Sequence, residues 1–222
     1  KPVAAEVGLG SRVAAITSTF TQGNLTHVEN PFSVALEGDG FFQIRTESGE
    51  LQYTRDGSFE ISPVANGNML CTSDGNPVLD AYGNQIILPS NRVATDLVVN
   101  QDGTLAFPDG TGNPAVITDA NGRPVKFGIY QFNNPAGLSK EGSNNYSVTV
   151  ASGAAVAENG NAAVKQTKTH QYYTEASNVD VANEMVNLIV AQRAYEMNSK
   201  AIQASDEMMQ QANAVSYTHL RA

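Results

Sequence analysis

The sequence predicts a mainly β protein that ends in one long α-helix. Three observations carry this reading. Seven Asp-Gly or Asn-Gly pairs punctuate residues 39–122. Short β-prone runs fill the gaps between them. From about Asp180 to Ala214 there is neither glycine nor proline, and Ala, Met, Leu, Gln and Glu dominate, which favours helix.

Taken in order, residues 1–32 form an extended or β connecting segment. It is rich in Thr, Ala and Val, is interrupted by Gly8, Gly10 and Gly23, and holds one short strand candidate at Arg12–Ile16. Residues 33–166 form a β-rich domain. Its turns are assigned to Asp39-Gly40, Asp56-Gly57, Asn66-Gly67, Asp74-Gly75, Asp102-Gly103, Asp109-Gly110 and Asn121-Gly122, residue types that tolerate positive φ. Its strands include Phe41–Arg45, Asp96–Val99, Lys126–Phe132 and Tyr146–Val150. No helical pattern separates them, so a sandwich or barrel-like sheet is expected rather than a parallel one. Residues 151–166, rich in Ala, Gly and Asn, read as a loop. Residues 167–179 supply a returning strand, Thr167–Thr174, and a cap cluster in Ser177, Asn178 and Asp180. The helix spans 180–214. Residues 216–222 break its pattern and read as a non-native tail.

Composition narrows the function. The chain has 222 residues and a net charge of −9, which argues against a phosphate-binding surface and hence against nucleic acid. Its one cysteine, Cys71, permits no internal disulfide. No apolar run approaches the roughly 20 residues of a membrane span. The first residues, Lys1-Pro2-Val3-Ala4-Ala5-Glu6, resemble no secretory signal, and without an initiator Met the chain is expected to be a fragment. His27, His170, His219 and Cys71 make no metal-ligand spacing, and the Asp-Gly pairs do not build a calcium loop. No cofactor motif and no catalytic set stands out. Glu37 and Asp39 are the nearest thing to an acid pair, and beside Gly38 and Gly40 they read as turn residues.

The helix carries the strongest pattern. Val181, Leu188, Tyr195, Ile202 and Met209 recur every seven residues. Beside them runs a mostly small row of Ala191, Ala194, Asn198, Ala201, Ser205 and Ala212, and Met185, Val186, Ile189 and Val190 enrich the first turns. A seven-residue apolar repeat keeps one seam towards a partner helix. Packing on the chain's own β domain is the simpler alternative, but a helix of this length overshoots such a domain. The expected packing residues are Val181, Met185, Leu188, Ala191, Tyr195, Ile202 and Met209. Arg193 is a candidate for an inter-subunit ion pair with Glu196 or Asp206, set against an ordinary solvated helix face.

The run Ser177-Asn178-Val179-Asp180 through Asn198-Ser199-Lys200 strongly resembles the C-terminal segment shared by bacterial flagellar rod and hook proteins. Val34-Ala35-Leu36-Glu37-Gly38-Asp39-Gly40-Phe41-Phe42-Gln43-Ile44 and Tyr53-Thr54-Arg55-Asp56-Gly57-Ser58-Phe59 resemble a second family motif. Phe20–Leu25 and Asn134–Leu138 are similar to the distal-rod branch. The resemblance implies a β-rich outer domain and an inner helical, coiled-coil-like domain whose N-terminal helix lies upstream of Lys1. It implies a structural subunit, not an enzyme, that assembles helically with copies of itself. Other rod and hook subunits and surrounding ring proteins would be its neighbours. It would cross the periplasm in the basal body, transmit torque, and be exported without a cleavable signal. Hook and proximal rod subunits are the nearest alternatives; the roughly 120 residues between Phe59 and Asn178 favour a rod. An exported β-rich adhesin and a carbohydrate-active enzyme are the readings from other classes. The apolar seam, lacking its partner, is expected to leave the isolated helix frayed or repacked.

Overall fold

The computed structural model describes residues 17–109 and 114–219, with side chains to Gln211. The chain divides into two compact units, Lys1–Asn178 and Val179–Ala222. Among the described residues of the first are β1 (Leu25–His27), β2 (Val34–Glu37), β3 (Phe41–Arg45), β4 (Leu51–Thr54), β5 (Glu60–Val64), β6 (Gly67–Cys71), β7 (Ile87–Leu88) and β8 (Val98–Val99). They continue as β9 (Leu105–Pro108), β10 (Pro114–Val116), β11 (Ile129–Gln131), β12 (Ser139–Gly142), β13 (Asn145–Ser147), β14 (Val156–Ala157), β15 (Lys168–Gln171) and β16 (Tyr173–Glu175). The second unit holds α1 (Val181–His219).

The largest sheet has the order β12-β13-β4-β3-β11-β14. Around it lie the sheets β10-β9-β8 and β5-β6-β7 and the pairs β2-β15 and β1-β16. Every strand pairing among the described residues is antiparallel. The mainly β reading with a C-terminal helix therefore agrees with the structure.

One turn recurs five times and explains the short strands. Thr46, Thr72, Asp80, Asn100 and Asp119 each open it. The first amide donates to the carbonyl four residues on, and the amide of a glycine three residues on donates back to the first carbonyl, all at 2.8–3.1 Å. Those glycines, Gly49, Gly75, Gly83, Gly103 and Gly122, have φ between +75° and +88°. This is a type I turn closed by a left-handed residue, a common three-residue hairpin loop. Two of the five, Ser48-Gly49 and Tyr82-Gly83, have no Asp or Asn before the glycine. A different hairpin, β12–β13, turns on Ser143 and Asn144, both at positive φ.

Asp102 and Asp119 lock their turns with side-chain bonds. Burial pushes the Asp102 carboxyl up, but the Thr104 hydroxyl at 2.6 Å and the Thr104 amide at 3.1 Å outweigh it and hold the group below its ordinary value of 3.8. Asp119 is held low chiefly by the Arg123 amide. A folded value below the unfolded one means stability that is present above about pH 3.8 and lost as pH falls through the folded value. The urea midpoint should thus stay level from pH 7 to 5 and fall below pH 4. Asp102→Asn should make that fall shallower. Equal slopes for the two proteins would contradict this.

Strand β3 is buried on both faces, so consecutive rings part. Phe42 meets Phe59 and Phe127 at 5.0 and 5.2 Å between ring centres, within the main core with Leu36, Ile44 and Leu105. Phe41 points the other way, to Phe132 at 5.5 Å and to Tyr53 and Leu138. The period of two along a strand makes this division unavoidable.

Several local expectations need correction. Lys126–Phe132 narrows to β11 and Tyr146–Val150 to the first part of that run, because Val148 and Val150 are exposed. Asp96 belongs to a 3-10 turn, Ala94–Asp96, ahead of β8. Residues 151–166 are not all loop: β14 adds to the edge of the large sheet. Thr167–Thr174 is two strands, β15 and β16, broken at Tyr172. That residue sits at φ +64° and turns the chain from pairing with β2 to pairing with β1. The helix backbone continues to His219, past the expected limit at Ala214. Arg12–Ile16 lies outside the described residues.

Candidate assembly surface

The cap cluster divides its labour. Asp180 caps α1, its Oδ1 accepting the Ala182 amide at 3.0 Å and its Oδ2 the Asn183 side chain at 2.7 Å. A carboxylate there satisfies a free amide and faces the positive helix end. Asn178 instead ties the ends of the β unit together, donating to Thr19 O, Thr21 O and Thr21 Oγ1 at 2.8–3.1 Å.

From that cap α1 runs 39 residues, about 58 Å. The seam residues Val181, Leu188, Tyr195, Ile202 and Met209 are 62–77% exposed. Met185 and Ala191 are exposed too. Val186, Ile189, Val190 and Met197 are also more than half exposed, so apolar side chains surround the first turns rather than forming one stripe. A run of large apolar side chains in water is the usual character of an interaction surface. Arg193 Nη1 lies 3.0 Å from Glu196 Oε2, one turn away on the same helix. Both groups are exposed, and such a pair contributes about 0.3–0.5 kcal/mol. Asp206 has no part in it.

The roots of the β unit carry a feature that sequence reasoning missed. Arg55, within the second family motif, reaches Glu175 on β16. Its Nε and Nη2 approach Glu175 Oε2 at 3.0 and 2.9 Å, and both side chains are 13% exposed. Arg55 Nη1 donates to the carbonyls of Gly38 and Gly40 at 2.9 and 3.0 Å. Glu175 Oε1 accepts the Gly23 amide and the Gln22 side chain, both at 2.9 Å. Gln22 in turn joins Leu36 O and the Gly38 amide at 3.0 Å. Both pieces of the second family motif, the segment before β1 and the strand before the helix thus meet in one closed network. Beside it lies a groove of about 560 Å³, lined by Thr21, Arg55, Asp56, Tyr146, Glu175 and Asn178 among others. The signal for this network is separation in sequence, 120 residues between Arg55 and Glu175, which no local pattern reveals.

The acid pair of the sequence does not come together as catalytic chemistry. The Glu37 carboxylate meets His170 Nε2 at 2.7 Å, and that hydrogen bond holds it below the usual carboxylate range. Asp39 lines a smaller cavity, about 290 Å³, with Phe20, Phe41 and Arg55. Among the described residues no group of three or more His, Cys, Asp or Glu is placed to hold a metal ion. No helix there is long and apolar enough to cross a membrane.

Comparison with known proteins coincides with this geometry. Residues 170–215, covering the end of β15, all of β16 and most of α1, match the family described as flagellar basal body rod FlgEFG protein C-terminal. Residues 35–107 match the flagellar hook protein FlgE/F/G D1 domain. The flagellar basal-body rod protein FlgG of Borreliella burgdorferi is 38% identical over 96% of this chain and 75% of its own. That of Agrobacterium fabrum is 38% identical over 93% of this chain and 73% of its own. The flagellar hook-basal body complex protein FlhP of Bacillus subtilis is 32% identical over 96% and 76%.

Proposed function

Because the chain belongs to the family of flagellar basal-body rod proteins, we propose that it is a structural subunit of the distal rod, assembling helically through α1 into the shaft that carries motor torque. The observation that carries this reading is a helix of 39 residues, apolar at seven-residue intervals and exposed along its described length. Such a helix gains most of its stability when its apolar side chains pack against partners. Val181, Met185, Leu188, Ala191, Tyr195, Ile202 and Met209 make the contacts. Burial of each large side chain contributes about 1.5–3 kcal/mol before ordering costs. Neighbours are copies of the same chain, then other rod and hook subunits and the rings around them. The subunit works in the basal body, across the periplasm, and reaches it without a cleavable signal. Its role is mechanical rather than catalytic: Glu37 is engaged by His170, and Arg55 by Glu175.

Complementation tests this. The full-length protein, expressed in a strain that lacks its distal rod protein, should restore rods, hooks and motility. Basal bodies that still end at the proximal rod would refute the assignment.

A further inference from the structure

The network around Arg55 does something a fold alone does not need. β1 and β16 form a ribbon of only three residue pairs, Leu25↔Glu175, Thr26↔Thr174 and His27↔Tyr173. An isolated two-stranded ribbon is marginal in water. Its backbone is joined to the β body at Tyr172, whose amide donates to Ser33 O at 2.9 Å, while its carbonyl accepts the Val28 amide at 2.8 Å and closes the ribbon itself. That joint lies at one end of the ribbon. At the other end, where β16 runs on in sequence towards α1, the ties are Arg55–Glu175 and the Gln22 bonds.

We propose that Arg55 is a positioning residue that clamps β16, and through Gln22 the segment leading into β1, to the β body, so that ribbon and sheet carry load as one piece. The load rests on the rod reading; the clamp does not. The guanidinium suits the task because it is planar and spends three nitrogens on three different segments at once. Nε and Nη2 hold β16 through Glu175, Nη1 holds the Gly38–Gly40 loop, and Nη2 also reaches Gln22 Oε1 at 3.3 Å. Phe41 lies against it, with the guanidinium carbon 5.7 Å from the ring centre. A lysine keeps the charge but not the fork. With the pair mostly buried, Lys can satisfy Glu175 or the two glycine carbonyls, not both.

Hydrogen exchange on the full chain tests the clamp. With Arg55→Met the amides of Gly23, residues 25–27 and residues 173–175 should exchange at least about tenfold faster, while β3 and β4 keep their protection. Arg55→Lys should fall between. Unchanged exchange in the ribbon, or equal loss across the whole β unit, would overturn the proposal. The load is tested in cells with full-length Arg55→Lys, the milder variant. Rods should form at normal length, while rotation slows more than in the parent as medium viscosity rises. Rotation equal to the parent at every viscosity would overturn it. So would cells that build no rods, since the residue would then serve assembly rather than stiffness. If the rod reading itself were wrong, the unaltered protein would fail complementation while the exchange result stood.

Discussion

Leu188→Asp should abolish rod assembly and leave the β unit as stable as before. In the free chain Leu188 is 67% exposed, so a carboxylate there meets water. The cost to the monomer is the poorer helix propensity of Asp, about 0.5 kcal/mol. On the proposed packing, assembly closes the seam over the same position. The subunit then loses about 1.5–3 kcal/mol of leucine burial and must also desolvate an unpaired charge, a further several kcal/mol. The loss repeats at every subunit, so even a moderate defect per contact stops growth. Arg193→Ala is the control. Arg193 lies about 140° round the helix from Leu188, and its pair with Glu196 is solvent-exposed; assembly should change little. Urea unfolding of the chain and electron microscopy of basal bodies give the two readouts. Normal rods and motile cells with Leu188→Asp would remove the seam from the mechanism.

How much of this was legible in the sequence depends on the range of the interaction. The helix was, since freedom from Gly and Pro and a seven-residue repeat are local properties. Among its cap candidates, though, only geometry separates Asp180, which caps, from Asn178, which ties Thr19 and Thr21. The turns were legible where Asp-Gly or Asn-Gly marks a left-handed residue, as at Gly75, Gly103 and Gly122. Gly49 and Gly83 were missed because the informative residue stands three places earlier, at Thr46 and Asp80. The strand β14 hid in an Ala- and Asn-rich stretch because it pairs over only two residues. The Arg55–Glu175 pair was out of reach: Arg55 sits in the second family motif and Glu175 just ahead of the C-terminal one, but their meeting is set by the return of β16 alongside β1.

Asp39-Gly40 and Asp56-Gly57 look like the other turn pairs yet have no positive φ, and Gly57→Ala shows why the difference matters. A Cβ on Gly57 would collide with the backbone carbonyl of Val34 and press the Phe42 ring at 3.2 Å. Val34 and Phe42 are buried, and the Val34 amide donates to Gly57 O at 2.9 Å. Relief means moving β2, which the register Val34↔Gln171 holds against β15. Overpacking of this kind costs about 1–3 kcal/mol, and loss of the Val34 bond adds about 1 more. The expected destabilisation is about 3 kcal/mol, a fall in Tm of roughly 6–12 °C for a unit of this size. Gly75→Ala supplies the contrast. Nothing lies within 4 Å of a Cβ there, but φ is +82°, so the cost is conformational and about 1–2 kcal/mol. A second mutation separates the two causes: Gly75→Asn, which tolerates the left-handed region, should recover much of the loss at 75, whereas Gly57→Asn should be worse than alanine because it adds volume where space is lacking. Urea midpoints of the four variants decide it. If Gly57→Ala cost no more than Gly75→Ala, close approach would not be the reason glycine stands at 57.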